Sequence, residues 1–74
     1  MQITVKLFAN LRENREKIMD MDVSSDTTVK DIIESLGIPL QDVAIIMING
    51  RGTNFDAVLK SDDVLALFPP VGGG

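Results

Sequence analysis

The sequence predicts a small α+β domain in which a single helix covers one face of a mixed β-sheet. Three observations lead to this prediction. Apolar and polar residues alternate over 2–8, with the period of two that a half-buried strand shows. Apolar residues within 29–36 recur at helical spacing. Two short apolar runs, 43–48 and 64–68, have the length of buried strands. Because a helix with one apolar stripe buries only one face of a sheet, we expect a domain of two layers, the helix and the sheet.

The size and composition of the chain limit how it is stabilised. Its 74 residues suffice for one domain near the lower limit for independent folding. It contains no cysteine and no histidine, which excludes disulfides and metal sites built from thiolate or imidazole ligands. Hydrophobic residues make up 45% of the chain, so we expect stability to come from packed aliphatic side chains. We predict no metal site.

The charge of the chain argues against polyanionic partners. Seven Lys and Arg residues stand against eleven Asp and Glu residues, for a net charge of −4. Such a balance disfavours nucleic acid or an anionic membrane as the main partner. The N-terminal sequence lacks the pattern of a signal peptide, and no apolar run approaches the roughly 20 residues that span a bilayer. We therefore expect a cytoplasmic protein that binds neither nucleic acid nor membrane. The cations are scattered along the sequence without interleaved aromatic residues: Lys6, Arg12, Arg15, Lys17, Lys30, Arg51 and Lys60.

The N-terminal part of the chain predicts a hairpin. The first strand covers residues 2–8, and the polar segment 9–16 predicts a turn. Residues 17–23 alternate less regularly, with Met19 and Met21 on the same face. We predict a second strand there, antiparallel to the first because the connection is short.

The clearest local pattern is that of the helix. Thr28 is followed three residues later by Asp31, a weak form of the capping box. Gly37 can adopt the left-handed conformation that ends a helix, and Pro39 prevents its continuation. The sequence therefore predicts a helix over residues 28–36.

The C-terminal half predicts three more strands. The apolar run 43–48 is β-branched and ends at the Asn-Gly pair 49–50, which favours a buried strand that enters a tight hairpin. A brief return strand follows at 51–53. A loop then leads to the last strand, 64–68, which two prolines end because they cannot donate ladder hydrogen bonds.

The predicted order of elements is β-β-α-β-β-β. The first and last strands are apolar enough to pair in the middle of the sheet, and that arrangement is the β-grasp, or ubiquitin-like, fold. Periodicity alone is also compatible with a ferredoxin-like or another small α+β fold. We predict that residues 1–68 form the domain and that 69–74 form a flexible C-terminal glycine tail.

The chain offers few side chains for catalysis. Histidine, cysteine, tyrosine and tryptophan are all missing, so the sequence excludes triads, histidine bases and thiol chemistry. Two carboxylate pairs, Asp20 with Asp22 and Asp62 with Asp63, act as acid and base only in a cleft that separates their pKa values. A chain this short has little room for such a cleft, and we interpret the pairs as a solvated strand face and a turn. We predict that the protein is not an enzyme in its own right.

The C-terminal sequence FPPVGGG raises a different possibility. Pro69 and Pro70 favour an extended exit from the sheet. Glycines lack Cβ and can pass through a channel that is too narrow for other residues. The carboxylate of Gly74 has no α-substituent that would obstruct its activation by another enzyme. From these residues alone, a reactive arm and an inert chain end are about equally plausible.

The sequence resembles the sulfur carriers of the MoaD/ThiS-like family, which comprises small subunits of molybdopterin synthase and sulfur carriers of thiamine-thiazole synthesis. The similarity covers essentially the whole chain. It is carried by VKLFANLRE at 5–13, TVKD at 28–31, INGR at 48–51 and VLALFPPVGGG at 64–74. The opening segment and FPPV look most like the molybdopterin branch, while a VGGG ending is also common in the thiazole branch.

The resemblance implies a role for the tail. In this family an E1-like adenylating enzyme, which uses ATP and Mg²⁺, activates the terminal glycine, and the glycine then receives sulfur as a thiocarboxylate. Gly74 would therefore carry the adenylate and then the sulfur. The carrier would bind no cofactor of its own, and its acceptor would be the molybdopterin synthase large subunit or thiazole synthase. Partner binding would involve the residues that precede Gly74: Phe68, Pro69, Pro70, Val71, Gly72 and Gly73.

Other functions remain open at this point. Sulfur donation to molybdopterin, which includes molybdenum and tungsten cofactors, is the prediction that we favour, and donation to the thiamine thiazole is an alternative. The protein is alternatively a ubiquitin-like modifier that is conjugated to substrates through Gly74. A function of a different class is that of a non-catalytic interaction module with an inert tail.

Overall fold

Residues 1–70, the part of the chain that the computed structural model describes, fold into a five-stranded sheet, one α-helix and two short 3₁₀-helices. The predictions for Val71, Gly72, Gly73 and Gly74 concern residues outside this part. The elements are β1 (Gln2–Leu7), a first 3₁₀-helix (Ala9–Arg12), β2 (Ile18–Asp22), α1 (Val29–Ser35), a second 3₁₀-helix (Leu40–Asp42), β3 (Ile45–Ile48), β4 (Arg51–Thr53) and β5 (Val64–Phe68).

The sheet has the strand order β2-β1-β5-β3-β4. The central strands β1 and β5 run parallel, with Leu7 beside Leu67. All other neighbours are antiparallel: β1 with β2, β5 with β3, and β3 with β4. The predicted β-grasp fold is confirmed, including the pairing of the first and last strands in the middle of the sheet.

The core lies between the sheet and α1. The helix contributes Val29, Ile32 and Ile33, all of them buried, as the predicted stripe requires. Met19 and Met21, which were predicted to share one face of β2, both pack against this core. No helix within residues 1–70 is long and apolar enough to cross a membrane. The buried hydrophobic side chains are Ile3, Val5, Leu7, Leu11, Val29, Ile32, Ile33, Ile38, Val43, Ile46, Leu59, Leu65 and Leu67.

The helix begins with a complete capping box. Thr28 is the N-cap, its hydroxyl accepts a hydrogen bond from the backbone N–H of Asp31 at 3.2 Å, and the Asp31 carboxylate accepts one from the backbone N–H of Thr28 at 3.0 Å. Both bonds satisfy donors that would otherwise lack a partner in the first turn. Gly37, with φ of +72°, follows the helix in the left-handed conformation that was predicted for it.

Removing the cap should destabilise the domain. Thr28→Ala deletes the hydroxyl that accepts from Asp31, and we expect a loss of about 1 kcal/mol in the free energy of unfolding. Urea titration followed by circular dichroism measures this loss. Ser25→Ala is the matched control, because Ser25 is exposed and lies outside the capping box. An equal effect of both substitutions would contradict the role of the cap.

The same contact makes stability depend on pH. The pKa of Asp31 lies below its ordinary value because Thr28 stabilises the ionised carboxylate. The hydrogen bond from the Thr28 backbone N–H makes the larger contribution to this shift, and the Thr28 side chain makes the second. The contribution of the ionised carboxylate is therefore fully present above about pH 4 and is lost as the pH falls through the lower pKa of the folded state. Asp31→Asn should be less stable than the parent chain at pH 7, and the difference should shrink below about pH 4. A difference that stays constant down to the acid transition would contradict this assignment.

Three segments differ from the sequence-based expectations. The predicted turn at 9–16 contains a 3₁₀-helix, because Leu11 is buried in the core and draws the chain inward. The third strand begins at Ile45 rather than at residue 43, since Val43 is buried at the end of the second 3₁₀-helix. The predicted loop between β4 and β5 carries Leu59, which is 1% exposed and belongs to the core.

Candidate functional site

Two aromatic rings stack where β5 ends. Because β1 and β5 run parallel with Leu7 beside Leu67, the next residue of each strand emerges at the same end of the sheet. These residues are Phe8 and Phe68, whose ring centroids lie 4.3 Å apart with an angle of 12° between the planes. Phe68 is the last residue of β5, so the pair lies where the C-terminal segment leaves the sheet.

Arg12 extends this stack. Its Nε donates a hydrogen bond to the backbone oxygen of Leu7 at 2.9 Å, and its Cζ lies 5.6 Å from the centroid of the Phe8 ring. The first 3₁₀-helix brings Arg12 back to this place, since Ala9 turns the chain with φ of +54° and Leu11 anchors it in the core. The guanidinium is thus held within cation–π distance of Phe8.

The cations are not as scattered as the sequence suggests. A groove of about 220 Å³ beside Phe8 is lined by Lys6, Arg12 and Lys17, together with Ile18. Three of the seven Lys and Arg residues of the chain thus meet around an aromatic ring. The pairing of β1 with β2 places Lys17 and Ile18 beside Lys6, a proximity that the spacing of these residues in the sequence does not show.

Apolar side chains complete this surface. Ile18 is 52% exposed, and Ile45, which lies opposite Phe68 in the register of β3 and β5, is 44% exposed. We call the surface formed by the stacked rings, the cationic groove and these isoleucines the tail-root surface. It consists of Phe8, Ile18, Ile45 and Phe68, with Lys6, Arg12 and Lys17 as its cationic residues.

The predicted site residues fall into two groups. Phe68 and Pro69 are half-buried and Pro70 is exposed, so the structure places these three at the tail-root surface or directly after it. The segment 71–74, with the predicted attachment residue Gly74, lies outside the described residues. The roles that the resemblance implies for both groups stay predictions.

The two carboxylate pairs have different environments. Asp20 and Asp22 are exposed, and Asp20 accepts a hydrogen bond from the Thr4 hydroxyl at 3.0 Å, in keeping with the predicted solvated strand face. Asp62 lies in a turn, as interpreted from the sequence, and Asp63 directly follows this turn but is only 8% exposed.

Asp63 is buried because it organises the turn before β5. Its Oδ1 accepts from the Asn49 amide nitrogen at 2.8 Å, and its Oδ2 accepts from the backbone N–H of Lys60 at 2.8 Å. The Asn49 side-chain oxygen in turn accepts from the backbone N–H of Val64 at 2.9 Å. Both carboxylate oxygens are thus engaged in structural hydrogen bonds.

The described residues offer a recognition surface. Within residues 1–70 no group of three or more acidic residues is placed to hold a metal ion. The tail-root surface combines two aromatic rings, aliphatic side chains and three cations, a composition that suits contact with another protein. Sequence reasoning identified Phe68 but missed Phe8, which is sixty positions away and meets it only through the pairing of β1 with β5. It also missed Arg12 and Lys17, which the 3₁₀-helix and the pairing of β1 with β2 bring to Phe8.

Comparison with known proteins gave consistent results at the level of sequence family and of structure. A sequence model of the Mut7-C ubiquitin family matches residues 1–72. The crystal structure of the small archaeal modifier protein SAMP1 from Haloferax volcanii is 28% identical, covers 100% of both chains and gives a TM-score of 0.77. No curated protein matches the chain.

Two further structures have similar folds. The solution structure of small archaeal modifier protein 1 from Methanosarcina acetivorans is 26% identical over 99% of this chain and 96% of that chain, with a TM-score of 0.73. The complex of subunits 1 and 2 of molybdopterin-converting factor from Helicobacter pylori contains a chain that is 26% identical over 100% of both chains, with a TM-score of 0.67. These neighbours confirm the predicted resemblance to the MoaD/ThiS-like family.

Proposed function

The chain belongs to the Mut7-C ubiquitin family, and on that premise we propose that it is a sulfur carrier whose C-terminal glycine is activated and loaded with sulfur. The carboxylate of Gly74 attacks the α-phosphate of ATP on an E1-like enzyme, and pyrophosphate leaves. A sulfide-level donor then attacks the acyl carbon and displaces AMP, which leaves a thiocarboxylate. ATP and Mg²⁺ belong to the activating enzyme, and the carrier binds no cofactor of its own.

The observation that carries the proposal is the position of the tail-root surface. The stack of Phe8 and Phe68 lies at the point where the chain passes from β5 to the glycine-ending segment. A partner that binds this surface is therefore in a position to bind the segment that leads to Gly74 as well. Residues 69–74 number six, and a fully extended chain of that length reaches roughly 20 Å, enough to enter a deep active site.

We propose molybdopterin synthesis as the pathway. The support comes from the similarity, over the whole chain, to a component of the complex of subunits 1 and 2 of molybdopterin-converting factor. The acceptor would then be the large subunit of molybdopterin synthase, and thiazole synthase is the alternative. The function is that of a protein co-substrate that acts in the cytoplasm.

A second candidate function is supported by a separate observation. Two neighbours carry the name small archaeal modifier protein, which points to conjugation of the chain to other proteins through Gly74. In that case the acyl-adenylate is attacked by a substrate amine in place of sulfur. Both functions use the same activation step and differ in the nucleophile.

The intact mass of the protein, isolated from its own host under gentle, metal-free conditions, tests both candidates. A carrier gains the mass that corresponds to replacement of one oxygen by sulfur, and the gain maps to the C-terminal peptide. A modifier appears in higher-mass conjugates that are lost when Gly73 and Gly74 are deleted. An unmodified mass that also persists after incubation with ATP, sulfide and the host's activating enzyme would contradict both.

Truncating the Phe68 side chain tests the docking surface. We expect Phe68→Ala to raise the KM of the activating enzyme for the carrier about tenfold, because a central aromatic residue commonly contributes more than 1 kcal/mol to binding. ATP–pyrophosphate exchange at varied carrier concentration measures this. Phe55→Ala is the control for lost stability, since Phe55 is also half-buried but packs elsewhere on the core. Equal KM values for both variants would remove Phe68 from the docking surface.

A further inference from the structure

A second exposed surface lies at the β4 edge of the sheet. β4 pairs with β3 on one side, and no strand of residues 1–70 pairs with its other side. Its three residues, Arg51–Thr53, are all exposed. An edge strand of this kind presents unpaired backbone N–H and C=O groups to which an extended chain can add.

A groove accompanies this edge. It has a volume of about 580 Å³ and runs between β4 and the segment that precedes β5, where Val58 and Lys60 line it. Val58 is 53% exposed, and the half-buried Ile48 adds to the apolar lining. We call this feature the β4 groove. The residues in it that matter for the following argument are Arg51, Val58 and Lys60.

The charge of the β4 groove is opposite to that of the chain. Arg51 and Lys60 both line it and are exposed. Among the described residues neither takes part in an ion pair, since the ion pair found there joins the N-terminus to Asp22. The one carboxylate in the lining, Asp63, is buried and has both oxygens engaged by Asn49 and Lys60 N–H. The groove thus offers two available cations on a protein of net charge −4.

We propose that the β4 groove binds an extended acidic segment of a partner protein. The segment adds as a strand to the free edge of β4, places an aliphatic side chain on Val58, and directs carboxylates to Arg51 and Lys60. Backbone pairing supplies affinity, and alternation of side chains along the segment supplies specificity for an acidic–aliphatic pattern.

Binding there leaves the tail-root surface free. Arg51 is aligned through Ile48 with Leu65, near the start of β5. Ile48 alternates with the buried Ile46 and lies on the core face of the sheet, whereas Ile45 and Phe68 lie on the opposite face. A partner in the β4 groove can therefore hold the protein while Phe68 and the tail contact another partner. This inference goes beyond the proposed function and does not depend on it.

Amide NMR spectra of the isotope-labelled full chain test the proposal, with a synthetic hexapeptide of alternating valine and glutamate as the probe. We expect shifts centred on residues 51–53, 58 and 60. The double variant Arg51→Glu/Lys60→Glu should lower the affinity about tenfold or more, because each attractive pair becomes repulsive. The charge-matched control Lys6→Glu/Lys17→Glu, at the tail-root surface, should retain binding.

The controls separate this proposal from the proposed function. Lys6→Glu/Lys17→Glu should weaken activation by the E1-like enzyme, and Arg51→Glu/Lys60→Glu should not. The proposal is overturned if the peptide causes no shifts at millimolar concentration, or if both double variants lose binding equally. It is also overturned if inorganic phosphate or a valine–lysine hexapeptide reproduces the shifts, since an added acidic strand is then not what the groove recognises.

Discussion

Deletion of Gly74 is expected to abolish activation of the protein while its fold stays intact. The deletion withdraws the reacting carboxylate by one residue, which is about 3.5 Å of extended chain. A displacement of only 1 Å can lower a rate about 100-fold, so no exchange of pyrophosphate into ATP should be detectable. Thermal unfolding should be unchanged, because the hydrophobic core of the described residues 1–70 runs from Ile3 to Leu67.

Gly73→Val makes the complementary test, since it keeps the carboxylate in place but adds a branched side chain to the arm. We expect activation to be lost here too, because the valine side chain should not fit a channel of the activating enzyme that is narrow enough to select glycine. Gly52→Val is the matched control. An added Cβ at Gly52 meets no atom within 4 Å, so the fold should tolerate it. Full activity of Gly73→Val would refute the narrow channel, and activity without Gly74 would refute the attachment site.

Leu65→Ala is expected to have the largest effect on stability. Leu65 is fully buried in β5, and its truncation leaves a cavity that should cost about 2–5 kcal/mol. A domain of this length has a total free energy of unfolding of roughly 4–11 kcal/mol, so the substitution should remove a large fraction of the stability and lower the urea midpoint strongly. The chain has neither tryptophan nor tyrosine, and urea titration by circular dichroism is therefore the suitable measurement.

Ile45→Ala serves as the control for this prediction. Ile45 lies on the neighbouring strand β3 but is 44% exposed, so removing its side chain should cost well under half as much. Similar losses for both variants would mean that burial in the described structure does not account for stability.

Local patterns were sufficient for the elements that depend on neighbouring residues. The Thr28 and Asp31 pair predicted the helix start because a capping box is made by residues three positions apart. The Asn49-Gly50 pair predicted the hairpin because both residues must adopt positive φ, and they do so at 53° and 81°. Such features need no knowledge of the rest of the chain.

Features that depend on distant residues were missed. Leu59 lies in a segment without strand or helix periodicity, and its burial depends on contact with distant residues, to which its N–H is tied by a hydrogen bond to the Thr27 oxygen at 2.9 Å. The burial of Asp63 likewise depends on Asn49, fourteen positions earlier. Of the tail-root surface, only Phe68 was predicted. Its stack with Phe8 arises from the parallel pairing of β1 with β5, which no local pattern shows.

The strand order also determines when the protein can fold. β1 with β2 and β3 with β4 form two local hairpins, and within the described residues β5 is the strand that joins them. Until β5 has been synthesised and has left the ribosome, each hairpin has an open edge, and isolated hairpins are marginally stable in water. Folding of the sheet is therefore expected to begin only once β5 is available, with a rate set by the closure of a long loop between the first and last strands. A nascent chain would expose both edges to chaperones or to other nascent chains during that interval.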